Sequence, residues 1–251
     1  VLPMFGFLDV PVSGAFHLVT ILADLLDPLF GALATATAIV AFTACVRLLL
    51  HPLSRAAVRG ELARSALAPQ AKQLRDRHRE DPQRLQQELS ALYRAEGTSL
   101  FAGCLPMLVQ LPFFSVMYRL FSSPSVGGTP NALLGHTLFG APLGAHWLTV
   151  ATTWSGAVFV GLFAALAAVA WCSMRWQARQ APDTGAVPGG KLLRLLPFGT
   201  VLAAAVLPLA AGLYLLTTTT WTLVERAALR RRATAAARRP RAGGGAPGRT
   251  S

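Results

Sequence analysis

Arg47 is the residue whose type and position most demand an explanation: from Pro28 to Leu53 the only basic side chains are Arg47 and His51, and the rest is largely apolar. A guanidinium at mid-bilayer costs roughly 2.5 to 3.5 kcal/mol on insertion scales, so such a group ordinarily faces water or a partner. The neighbouring residue types narrow its chemistry to charge attraction. Ser155 in TWSGAV lacks the glycine two residues earlier that a nucleophile elbow requires, and no aspartate falls within a predicted span. His51 has neither a nucleophile nor a second histidine beside it, which makes it an interfacial residue rather than a general base. Cys45, Cys104 and Cys172 show no metal-ligand spacing and no disulfide framework. No catalytic residue, metal or cofactor is therefore expected. Two readings of Arg47 stand at this point, a snorkelling anchor near the end of a span and a cation that acts on something inside the membrane.

The elements that must position Arg47 are those of an integral membrane protein. Of 251 residues, 53% are hydrophobic and 14% charged, and the apolar residues gather in long blocks. The 23 Lys and Arg residues fall in three blocks, Arg55 to Arg94, Arg175 to Arg194 and Arg226 to Arg249, apart from Arg47 and Arg119. This clustering argues against a nucleic-acid binder and reads as a positive-inside pattern with all three blocks cytoplasmic. The first 46 residues lack the basic segment of a cleavable signal peptide.

Residues 1–27 are predicted to form an amphipathic helix on the outer surface, with polar Ser13, His17, Thr20 and Asp24 among apolar clusters. Asp27 and Pro28 then mark the start of a first span over 28–53. A second span over 99–121 carries Pro106 and Pro112, an outer loop follows over 122–146, and a third, uncharged span covers 147–174. Beyond a cytoplasmic loop at 175–194, the stretch 195–225, uncharged as far as Val224, lies between Arg194 and Arg226. If both flanks are cytoplasmic the chain crosses twice, turning at Pro208 to Gly212, which gives a fourth and a fifth span. The amino terminus is then outside, and the basic tail of 226–251 is cytoplasmic and, by composition, disordered.

Residues 54–98 read as a cytoplasmic helical hairpin broken at Glu80, Asp81 and Pro82. Asp81 can cap the second arm while Pro82 occupies its first turn. Leu62, Leu67 and Leu74 on one arm match Leu85, Leu89, Leu92 and Tyr93 on the other.

The stretch EDPQRLQQELSALYRAEGTSLFAGCLPMLVQLPFFSVMYRLF, Glu80 to Phe121, resembles the YidC-type membrane protein insertases, the bacterial branch of the Oxa superfamily. VRLLLHPLS at Val46 to Ser54 and GLYLLTTTTWTLVERA at Gly212 to Ala227 extend the likeness. The resemblance implies an all-α membrane protein of the bacterial cytoplasmic membrane, with five transmembrane helices around a hydrophilic groove open to the cytoplasm. It further implies that Arg47 projects into that groove, with Thr43 one turn before it, Gln110 from the second span, and Tyr214 and Thr218 from the last. For Thr43 and Thr218 a bond back to their own helices is an equal alternative. The implied activity is insertion of nascent membrane proteins without nucleotide hydrolysis, in contact with membrane lipids, with the ribosome (through the basic tail) and the Sec translocon as further candidate partners. The competing reading from another class is a small-solute channel or transporter, which would also carry an intramembrane cation. Leu215, Thr217 to Thr220 and Glu225 depart from the aromatic, asparagine and glutamine usual in the last span, and Thr98-Ser99 replaces an asparagine-proline pair.

Overall fold

The computed structural model describes residues 9–95, 115–179 and 195–238, and they are mostly helical. Helix α1 (Asp9–Phe30) and helix α2 (Ala34–Leu49) are joined by a 3-10 turn at Gly31–Leu33. The break falls at Gly31 and not at Asp27-Pro28, where the sequence predicts it. Pro28 is accommodated near the end of α1, whereas Gly31 takes a positive φ of 49°, a conformation open to glycine at little cost. The turn lets α1 and α2 pack against each other.

Three faces run along α1. Val12, Ala15, Val19 and Ala23 are buried against the protein, while Val10, Leu18, Ile21, Leu25 and Leu29 form a broad exposed apolar face. Ser13, His17, Thr20 and Asp24 lie on a third, polar face, as the spacing of 3.6 residues per turn requires.

The polar hairpin contains α3 (His51–Ala66), α4 (Ala68–Arg77) and α5 (Pro82–Ala95), with α4 packed on α5. Asp81 caps α5, its Oδ1 accepting from the Arg84 backbone N–H at 3.0 Å. Leu67, Ala71 and Tyr93 are the buried positions between the arms, and the Arg64 guanidinium stacks over the Tyr93 ring at 5.7 Å.

Of the second predicted span, only a helical piece at 115–122, here α6, belongs to the described residues. The loop after it carries two antiparallel hairpins, β1 (Ser125–Val126) with β2 (Thr129–Pro130), and β3 (Thr137–Leu138) with β4 (Ala141–Pro142). Both turn through two residues of positive φ, Gly127-Gly128 and Phe139-Gly140, the geometry that matches strand twist. Buried Asn131 closes α6, donating from Nδ2 to the carbonyls of Leu120 at 2.6 Å and Ser123 at 3.1 Å.

A short helix α7 (Trp147–Val150) precedes α8 (Trp154–Ala178), so the chain bends near Thr153 inside the predicted third span. Gly156 is required there, because a Cβ would lie 2.6 Å from the Ala151 carbonyl oxygen. Helix α9 (Gly199–Val206) and helix α10 (Leu209–Arg238) are separated at Leu207-Pro208, and Gly212 lies within α10 rather than in the turn. There it permits close approach to α8: an added Cβ would stand 2.6 Å from Leu162 Cδ2. Helix α10 also continues to Arg238, a correction to the disorder expected from Arg226 onward. Alanine and arginine are among the strongest helix formers, and an established helix extends through them more readily than charge alone suggests.

The loop satisfies the first donors of α10. Leu209 N–H donates to the Ala145 carbonyl at 3.0 Å and Ala210 N–H to that of Leu143 at 2.9 Å. Around this loop end lies the core, with Phe121, Phe159, Leu120, Leu143, Leu166 and Leu209 fully buried. Among the described residues two stretches are long and apolar enough to cross a membrane, Asp9–Leu49 taken across its turn and Trp154–Ala178, and Leu196–Val206 is a shorter apolar one.

Candidate functional site

Arg47 stands in the last turn of α2, on the helix face that packs against α10. Its Nη2 reaches the Thr218 carbonyl oxygen at 3.5 Å, a long, weak contact. Thr222 Oγ1 donates to the same oxygen at 2.8 Å. Tyr214, one turn before Thr218, is buried and lies within electrostatic reach of the guanidinium, as does Glu225. Thr43, one turn before Arg47, is buried, and its hydroxyl donates to the Ile39 carbonyl of its own helix at 2.7 Å. The Thr218 hydroxyl is buried without a hydrogen-bond partner among the described residues, which in an apolar setting is a cost waiting for a donor or acceptor. So Arg47, Thr43, Tyr214 and Thr218 are brought to one α2/α10 contact. Gln110 lies outside the described residues.

One turn beyond Arg47, His51 Nδ1 bonds Glu225 Oε1. The sequence marks the first as an interfacial histidine and the second as a departure from a pattern; their pairing joins positions 174 apart, and no local signal announces it. The Glu225 side chain is only 8% exposed, against 32% for His51. A cleft of about 720 Å³ opens beside this pair, walled by Val40, Ala44, Leu48, Leu216 and Trp221 among others and bounded by His51 and Glu225.

At the hairpin end a second set of contacts ties three elements together. Arg230 of α10 pairs with Glu61 of α3 and stacks over Trp176 of α8 at 5.3 Å. Arg175 covers Trp171 at 4.6 Å. The other cation within an apolar run, Arg119 of α6, pairs with Asp9 at 2.9 Å, well away from this site.

A family model described as "60Kd inner membrane protein" matches residues 25–236. The chain belongs to this family. Among 60Kd inner membrane protein relatives, a "Membrane protein insertase YidC" of Acidiphilium cryptum is 39% identical over 116 residues, 46% of this chain and 19% of the relative. A protein of the same name from Granulibacter bethesdensis is 42% identical over 83 residues, covering 33% and 14%. One from Streptomyces avermitilis is 30% identical over 158 residues, covering 57% and 36%. The chain thus spans well under half the length of these relatives. The resemblance read from the Glu80 to Phe121 motif and its companions is that of this family.

Proposed function

We propose that the chain is a membrane protein insertase, in which Arg47, Thr43, Tyr214 and Thr218, with Gln110 from the second span, line a hydrophilic groove open to the cytoplasm. The proposal includes five spans, the amino terminus outside and the hairpin and carboxyl terminus inside. The three-faced α1 would then lie at the outer interface, with one face on the protein, one in lipid and one in water. The observation that carries the reading is the half-buried guanidinium of Arg47 meeting the Thr218 carbonyl between α2 and α10, beyond the packed core of the loop end. The names of the relatives favour insertion over the small-solute channel or transporter.

The mechanism follows from charge and solvation. A nascent protein must carry polar segments past hydrocarbon, and a hydrated groove lowers the desolvation barrier they meet. Arg47 attracts acidic groups in the incoming segment, more strongly in a low-dielectric cleft than in bulk water. The client's apolar helix then leaves sideways into lipid, driven by burial of its own surface, and no nucleotide is needed.

The test is insertion by purified protein in liposomes, read as the protease-protected fraction of a client. Arg47→Ala should lower insertion of a client with an acidic translocated tail by roughly ten-fold, the loss of one partly desolvated charge interaction. Arg47→Lys should retain most of it. Equal insertion by the Ala variant and the wild type would defeat the assignment.

A further inference from the structure

Glu225 is the sole acidic residue in α2, α8, α9 and α10. It is placed where a carboxylate is costly, on the half of α10 that faces α2, and little of it reaches solvent. Its register is fixed at two points. Arg47 meets the Thr218 carbonyl, and four residues on, at the start of α3, His51 meets Glu225, two turns later on α10. The carboxylate therefore stands on the same strip of α10 as the Thr218 carbonyl that meets the groove cation. Arg47 has no other carboxylate on its own helix or on α10 to answer it. Glu61, the nearest acid along the chain on α3, is engaged by Arg230.

Resting on the insertase reading, we infer that Glu225, held by His51, is a built-in counter-ion of Arg47 and a specificity-determining residue: it competes with acidic client side chains for the cation. An incoming carboxylate meets a field already partly answered, so the groove favours segments with few acidic residues over strongly acidic ones. Glutamine at this position would hold the same volume and could still bond His51, but it would leave Arg47 uncompensated. Glu225 is thus a positioning charge that acts through Arg47, and its effect depends on Arg47 being present.

The experiment uses the full chain reconstituted in vesicles of phosphatidylethanolamine and phosphatidylglycerol, with two versions of one single-span client. Their translocated tails differ only in carrying no aspartate or several. The readout is the ratio of acidic-tail to neutral-tail insertion on the same vesicles, which cancels differences in the amount of folded insertase. Glu225→Gln should raise that ratio by roughly five-fold, the size of a partly exposed charge interaction, and Glu225→Asp should keep it near the wild-type value. In an Arg47→Ala background the Glu225→Gln change should leave the ratio where Arg47→Ala alone puts it. Should Glu225→Gln fail to fold, Thr222→Glu, which adds a carboxylate one turn earlier on the same strip, should lower the ratio. A ratio indifferent to Glu225→Gln and to Thr222→Glu, or one that rises equally without Arg47, overturns the inference. Wild-type protein that inserts neither client overturns the insertase reading itself; insertion of both with no response to position 225 overturns only the counter-ion.

Discussion

The loop end and the hairpin end of the helical bundle are built on opposite terms. At the loop end, Leu209, Ala210, Ala211, Tyr214 and Leu215 of α10 are buried among Phe121, Leu143, Phe159 and Leu162, and the loop backbone closes the helix ends. Beyond Leu215 no described side chain of α10 is fully buried, while α2 ends in Arg47 and exposed Leu48 and Leu49. The difference is one of residue size and charge along the same two helices. Small and aromatic residues pack α10 into the core at one end, and Arg47, His51 and Glu225 make polar contacts across the helices at the other.

That contrast can be broken by mutations that ignore it. Phe159→Ala, at the sealed end, should destabilise by about 3 to 5 kcal/mol, the usual cost of emptying an aromatic site in a core, read as a large fall in the thermal midpoint in detergent. Gly212→Val should cost about 1 to 3 kcal/mol by forcing Leu162 away from α10, and the same melting curve would register it. Asp81→Ala removes the cap of α5 and should cost about 1 kcal/mol; hydrogen exchange should quicken in the first turn of α5 while the bundle's midpoint stays put. Leu48→Ala, at the open end and 59% exposed, should change stability by less than about 0.5 kcal/mol. A Leu48 variant that melts as early as the Phe159 variant would show that the two ends are packed alike.

What could be read from the sequence was what is decided locally. Asp81 and Pro82 stop and start a helix through neighbouring N–H groups, and the break at Leu207-Pro208 follows from a missing donor, so both were legible. The likeness to the insertase family was legible too, because its motif is contiguous from Glu80 to Phe121. Pro28 is the louder signal for a break between α1 and α2, whereas the chain turns on the φ of Gly31. Beyond Arg226 the arginines point to a solvated tail, while the alanines among them favour helix, and helix prevails to Arg238. The site divides in the same way. Arg47 stands out in any hydropathy reading, but its contact with Thr218 and the bond between His51 and Glu225 join residues more than 170 positions apart. Only the packing of α2 on α10 brings them together.

The two amide bonds that fasten the first turn of α10 to the carbonyls of Leu143 and Ala145 govern how that helix can move. Sliding along its own axis would strip both bonds among residues buried in protein, Leu143, Leu209 and Ala210, where a lost partner is costly, so the bonds oppose piston-like travel. Any widening of the cleft then has to come from bending of α10 beyond Leu215, against its ties to His51 and Glu61, and not from axial travel.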